Sequence, residues 1–239
     1  MTTLRIDRRF CGPPDSGNGG YVCGLVAKAF GGSGCEVTLH APPPLDRDLQ
    51  LDFDGDRARL LDGDSMIASA VHASPPIEVR RPPSPFEAAE ATTRFTGFRN
   101  HIFPTCFVCG PDRREGDGLR IFAGAADGQV AAPWTPGGSL LNDDGALASE
   151  FVWAALDCPG YFAVEERARP AVLGRFAVQI VEPRIEPQTL IVTGWPIASE
   201  GRKHEAGTAL HDPGGRLLAF AKATWITLRP ADPVQERRM

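Results

Sequence analysis

Gly17-Asn18-Gly19-Gly20-Tyr21-Val22-Cys23-Gly24-Leu25-Val26-Ala27-Lys28-Ala29-Phe30 and, roughly half a chain later, Leu141-Asn142-Asp143-Asp144-Gly145-Ala146-Leu147-Ala148-Ser149-Glu150-Phe151-Val152-Trp153-Ala154-Ala155-Leu156-Asp157 are two apolar stretches, each led by glycine with asparagine or aspartate. Asparagine and aspartate accept hydrogen bonds from first-turn amides, so each leader reads as a helix start, the second near Asn142. Both helices are apolar nearly all round and should be buried. Strand-like segments follow each one. In the first half they are residues 35–41, 49–53, 58–61 and 66–72, separated by Pro42-Pro43-Pro44, Asp54-Gly55-Asp56 and Asp62-Gly63-Asp64. In the second half they are 176–181, 189–195, 205–211 and 217–228, with Asp212-Pro213-Gly214-Gly215 as a hairpin turn. A strand precedes each helix, at 4–10 and at 129–134, and the second half opens near Gly118-Leu119-Arg120-Ile121-Phe122. The first strand after each helix runs into Pro42 or Pro183. The chain therefore reads as two copies of one unit, residues 1–75 and 117–230. Residues 76–116 form a proline-rich linker with at most one helical turn at Phe86-Glu87-Ala88-Ala89-Glu90. One helix cannot cover a flat sheet on both faces, so the class is α+β, an antiparallel sheet curled around a central helix in each unit.

An apolar fraction of 42% over 239 residues is enough for a proper core without staples. No signal-like segment and no apolar run of about 20 residues occurs, so a soluble cytoplasmic protein with no membrane insertion is expected. The net charge of -5 disfavours nonspecific nucleic-acid binding. Six cysteines lie at positions 11, 23, 35, 106, 109 and 158. They suit small buried thiols in a reducing compartment better than a disulfide framework.

The order of elements, with glycines heading an apolar helix, resembles the hotdog fold, and two copies in one chain resemble the double-hotdog acyl-CoA thioesterases (thioesterase II-like). Gly19-Gly20-Tyr21-Val22 is similar to the glycine pair opening the first-half helix of that family. Ala148-Ser149-Glu150-Phe151 resembles the second-half segment that carries a catalytic aspartate. Cys106-Phe107-Val108-Cys109-Gly110-Pro111-Asp112, with Gly118-Leu119 after it, resembles a segment at the start of some related hotdog domains. The resemblance implies two tandem hotdog domains and a cofactor-free hydrolase of acyl-CoA or another acyl thioester. It admits a homodimer of such pseudo-dimers without requiring one.

A helix N-terminus can polarise a carbonyl or hold an oxyanion with backbone amides alone, and glycine lets a ligand approach. Asn18, Gly19 and Gly20 at one helix and Asp143, Asp144 and Gly145 at the other are candidates, the alternative being ordinary caps. Glu150 sits on an apolar helix, where a carboxylate is expensive unless it meets a cleft or a partner, so it is the expected general base or nucleophile. A solvated polar stripe is its bland alternative. Aligning Gly20 with Gly145 sets Leu25 opposite Glu150, which implies one active site per chain. Asp157 precedes Cys158-Pro159-Gly160, where a helix should stop, and is expected to support rather than to react. From the family resemblance, Thr224 would help hold the nucleophilic water and Arg175 would supply another polar group.

Cys106 and Cys109 form a CxxC with His101 nearby, but no second cysteine or histidine pair follows to complete a structural zinc site, so no metal is expected. Pro111 and the charged residues after it offer no helix for a redox pair. Valine 22 stands where a dinucleotide fingerprint needs glycine, and no G-x-S-x-G occurs. A hydratase on the same fold usually couples an acid to a histidine at the helix, and none lies near either helix start in sequence. A non-catalytic acyl-CoA or lipid-binding module is the remaining rival.

Overall fold

The computed structural model describes residues 2–229. Among these, eleven strands form one antiparallel sheet. They are β1 Thr2–Arg5, β2 Cys35–Leu39, β3 Asp48–Phe53, β4 Arg57–Asp62, β5 Ser65–His72, β6 Gly124–Ala126, β7 Gln129–Trp134, β8 Ala171–Ile180, β9 Leu190–Glu200, β10 Lys203–His211 and β11 Leu217–Thr227. The helices are α1 Gly19–Ala27, α2 Pro85–Thr92 and α3 Ser149–Ala168. The spatial order β1-β3-β4-β5-β2-β8-β11-β10-β9-β7-β6 reads outward from the β2–β8 seam as the same connectivity on both sides. At the seam Cys35 faces Val178 and Val37 faces Phe176.

The sheet turns are built as their residue types demand. Asp54 Oδ1 accepts from the amides of Asp56 and Arg57 at 3.0 and 2.8 Å, and Gly55 takes the positive φ of +101° that closes the β3–β4 hairpin. Along β3, Leu49 and Leu51 are buried on alternate positions, the period of two expected for a half-buried strand.

α1 and α3 pack side by side inside the sheet, antiparallel and close enough that glycine is obligatory. A Cβ on Gly24 would stand 2.7 Å from Glu150 Cα and 2.9 Å from Trp153 Cβ, and a Cβ on Gly20 would overlap the Asp157 side chain. Every α1 residue from Gly20 to Ala27 is buried. Trp153 is fully buried and donates from Nε1 to Gly32 O at 2.8 Å, so its one polar atom is satisfied.

Three expectations change. The second helix begins at Ser149, not near Asn142. Asn142 Oδ1 accepts from Asp144 and Ala146 amides at 3.1 and 3.0 Å, and Gly145 has φ +76°, so the residues that read as a cap close a tight turn instead. The helix then runs through Pro159 to Ala168. Proline removes one helical hydrogen bond, but β9, β10 and β11 pack on this helix, and burial outweighs the loss. Residues 118–122, where the sequence reading opens the second half, are irregular; Ile121 is buried and its amide donates to Val108 O at 2.9 Å. The segment 76–116 contains α2, longer than one turn, whose Ala88 and Ala91 pack against Ala131 and Ile191. Smaller differences shorten the first strand, where residues 8–10 form a 3-10 turn.

α2 starts with a capping box: Ser84 Oγ accepts from the Glu87 amide at 3.3 Å, and Glu87 Oε2 accepts from the Ser84 amide at 2.7 Å. Ser84→Ala should cost about 1 kcal/mol. Urea denaturation should show the midpoint falling with an unchanged slope.

The chain approaches α1 and α3 through matching backbone contacts. Asn18 N donates to Phe10 O at 2.8 Å, and Ala148 N donates to Leu140 O at 3.0 Å. Asn18 therefore corresponds to Ala148, Gly20 to Glu150, and Ala27 to Asp157.

Candidate active site

The N-terminus of α1 is capped by Asn18, whose Oδ1 accepts from the Tyr21 amide at 2.9 Å. Its other side-chain atom, Nδ2, donates to Asp157 Oδ2 at 2.7 Å, and the Gly20 amide donates to the same oxygen at 3.0 Å. Asp157 projects from the middle of α3 and is only 2% exposed. Its second oxygen, Oδ1, has no hydrogen-bond partner among the described residues. Burial raises the Asp157 carboxyl to about 7; the Gly20 amide and Asn18 pull it the other way without cancelling the burial.

Asn18, Gly19 and Asp157 line a cavity of about 420 Å³ with largely apolar walls that include Leu39, Phe103 and Leu173. That volume is in the range small organic ligands fill. Two further buried donors in its wall, Tyr161 Oη and Trp225 Nε1, have no partner among the described residues. Unpaired buried polar atoms are costly, and the Asp157 carboxylate beside the cavity, held by Gly20 and Asn18 through one oxygen only, marks a place for a ligand.

Of the residues picked from sequence, Asn18, Gly19 and Gly20 are brought together here. The others are not. Glu150 lies at the α3 N-terminus, outside the cavity wall, with Oε1 accepting from Lys28 Nζ at 2.7 Å. Asp143, Asp144 and Gly145 form the turn before α3; both aspartates are exposed, and Asp144 O accepts from Arg184. Arg175 sits at the β2–β8 seam, 3.5 Å from Glu36 Oε1 and half exposed. Thr224 pairs with Arg175 across β11 and β8, next to a bulge; its neighbours Trp225 and Ile226 reach the cavity wall and Thr224 does not.

Asp157 is the group sequence reasoning placed in a supporting role. A legible signal existed in the glycine pair Gly20 and Gly24, which shows that a second helix must lie against α1 at those turns. Histidine, remote in sequence, is near in space: His40 and His101 line the cavity, hydrogen-bonded to Ser69 Oγ at 2.8 Å and Cys109 Sγ at 3.3 Å respectively.

No protein-family model and no curated protein sequence matches the chain. Solved structures do. The tesB protein of Mycobacterium avium subspecies paratuberculosis matches with a TM-score of 0.60 at 14% identity, covering 95% of this chain and 92% of its own. A candidate thioesterase of Novosphingobium aromaticivorans gives 0.62 at 14% identity, covering 95% of both chains. A candidate thioesterase II of Thermobifida fusca gives 0.58 at 15% identity, covering 95% and 93%. The chain thus shares the hotdog fold of thioesterase II-type proteins along almost its whole length. Among the described residues no helix is long and apolar enough to cross a membrane.

Proposed function

We propose that the chain is a tandem double hotdog, residues 1–75 and 117–230 with a linker at 76–116, that hydrolyses an acyl thioester, acyl-CoA being the substrate class, at one site between α1 and α3. The observation that carries the reading is Asp157 Oδ1, a buried carboxylate oxygen without a partner, held by the Gly20 amide and Asn18 in the wall of an apolar cavity. The thioesterase names of its structural neighbours agree with it.

In the proposed reaction the acyl group occupies the apolar cavity, with its carbonyl toward the amide end of α1 at Gly19. Asp157 takes a proton from water as the water oxygen bonds to the thioester carbon, and the helix end stabilises the oxyanion. Collapse breaks the carbon–sulphur bond, and Asp157 returns the proton to the departing sulphur. The products are a carboxylic acid and a free thiol. The equivalent position on α1 is Ala27, and the equivalent of Gly20 is Glu150, whose carboxylate is tied to Lys28, so the second helix junction has no acid facing it from the other helix and no glycine at its amide end. That asymmetry favours one site per chain.

The test is thiol release from a panel of alkyl-, hydroxyacyl- and aryl-CoA thioesters by the purified chain. Binding of panel members with no release above the uncatalysed rate would instead make this a binding module.

A further inference from the structure

Three of the six cysteines meet at one point. The Sγ atoms of Cys106, Cys109 and Cys158 all lie within 4.8 Å of one another, and Cys106 and Cys158 are 3.7 Å apart. Zinc–sulphur bonds of about 2.3 Å in a tetrahedron set neighbouring sulphurs about 3.8 Å apart. The third sulphur is what a reading of the CxxC alone lacks, and it comes from α3 because the helix continues past Asp157 instead of stopping there.

The surroundings separate a metal site from packed thiols. A neutral thiol is a weak acceptor and is content among apolar groups. These sulphurs instead receive N–H donors. Asn18 Nδ2 lies 3.8 Å from Cys106 Sγ. His101 Nδ1 accepts from the Phe103 amide at 3.0 Å, which leaves the ring proton on Nε2, directed at Cys109 Sγ 3.3 Å away. Donors aimed at sulphur are the supporting shell that metal-bound thiolates require. Gly110 closes the turn with its amide on Cys106 O at 2.9 Å, and a Cβ there would come within 2.6 Å of Cys106 N, so the loop is tied tightly around the first cysteine.

We propose that Cys106, Cys109 and Cys158 bind one zinc ion as thiolates, with His101 bracing Cys109. Sulphur donors select a thiophilic ion over magnesium or calcium. The three residues line the cavity, so the fourth position is filled from the cavity side. The ion would clamp the irregular 101–122 segment to α3.

The experiment uses the full chain and does not depend on turnover. Metal is measured on protein purified without chelator, and the chelated, fully reduced chain is titrated with cobalt(II). The expected result is close to one zinc per chain, and a thiolate-to-cobalt charge-transfer band that saturates at one equivalent and is displaced by zinc. Cys158→Ser should lose the band and Cys35→Ser should keep it. If Cys158→Ser fails to fold, the wild-type titration decides alone. A reduced wild-type chain that gives no band, or a Cys106–Cys158 disulfide as the stable native form, would overturn the proposal.

Discussion

On the proposed function, Asp157→Asn should lower thioester turnover by about 10²-fold or more, the scale of a positioned acid–base group, while substrate binding survives. The amide is the same size as the carboxyl and its oxygen can still accept from Gly20 and Asn18, so the helix junction keeps its hydrogen bonds. What disappears is the basic oxygen. Glu150→Gln should leave most of the turnover, because its carboxylate answers Lys28 and not the cavity. The pair of variants discriminates between the two acids on α3. Full activity in Asp157→Asn with loss in Glu150→Gln would return the chemistry to the α3 N-terminus and sink the assignment.

The sheet was largely legible from sequence because its signals are local. Asp54-Gly55-Asp56, Asp62-Gly63-Asp64 and Asp212-Pro213-Gly214-Gly215 fix hairpins by their own turn chemistry, and the strands between them start and stop within a few residues of expectation. The helix-end candidates Asn18, Gly19 and Gly20 were legible for the same reason. The acid was not. Asn142-Asp143-Asp144-Gly145 can cap a helix or close a turn, and which it does depends on the strap between Leu140 and Ala148, a contact the local residues do not announce. Starting the helix too early paired Glu150 with Leu25 instead of with Gly20. Proline 159 then hid the rest of α3, since its effect on an isolated helix is disruptive and only the surrounding sheet makes it tolerable. The third thiol vanished with it, because Cys158 joins Cys106 only when that turn is helical. Residues 1 and 230–239 lie outside the described part of the chain.

Gly24→Val should be among the most destabilising single changes in the protein, costing about 3 kcal/mol at the upper end of overpacking effects. The reason is geometric. A Cβ at this position meets Glu150 Cα at 2.7 Å and Glu150 O at 3.0 Å, which are backbone atoms that no rotamer change can move. Relief requires α1 and α3 to separate, and both are held on their other faces by the sheet. Gly137→Ala is the control: its φ of -77° suits alanine and nothing lies within 4 Å of the added methyl, so stability should hold or rise slightly. Denaturant unfolding of both variants measures the difference. The same helix contact sets Asp157 over the Gly20 amide, so any Gly24→Val protein that does fold should also lose turnover, with the loss in kcat, because the acid and the helix end no longer meet at hydrogen-bond distance. A Gly24→Val chain as stable and as active as the parent would mean that the two helices do not cross in contact, and the site built on their contact would fall with it.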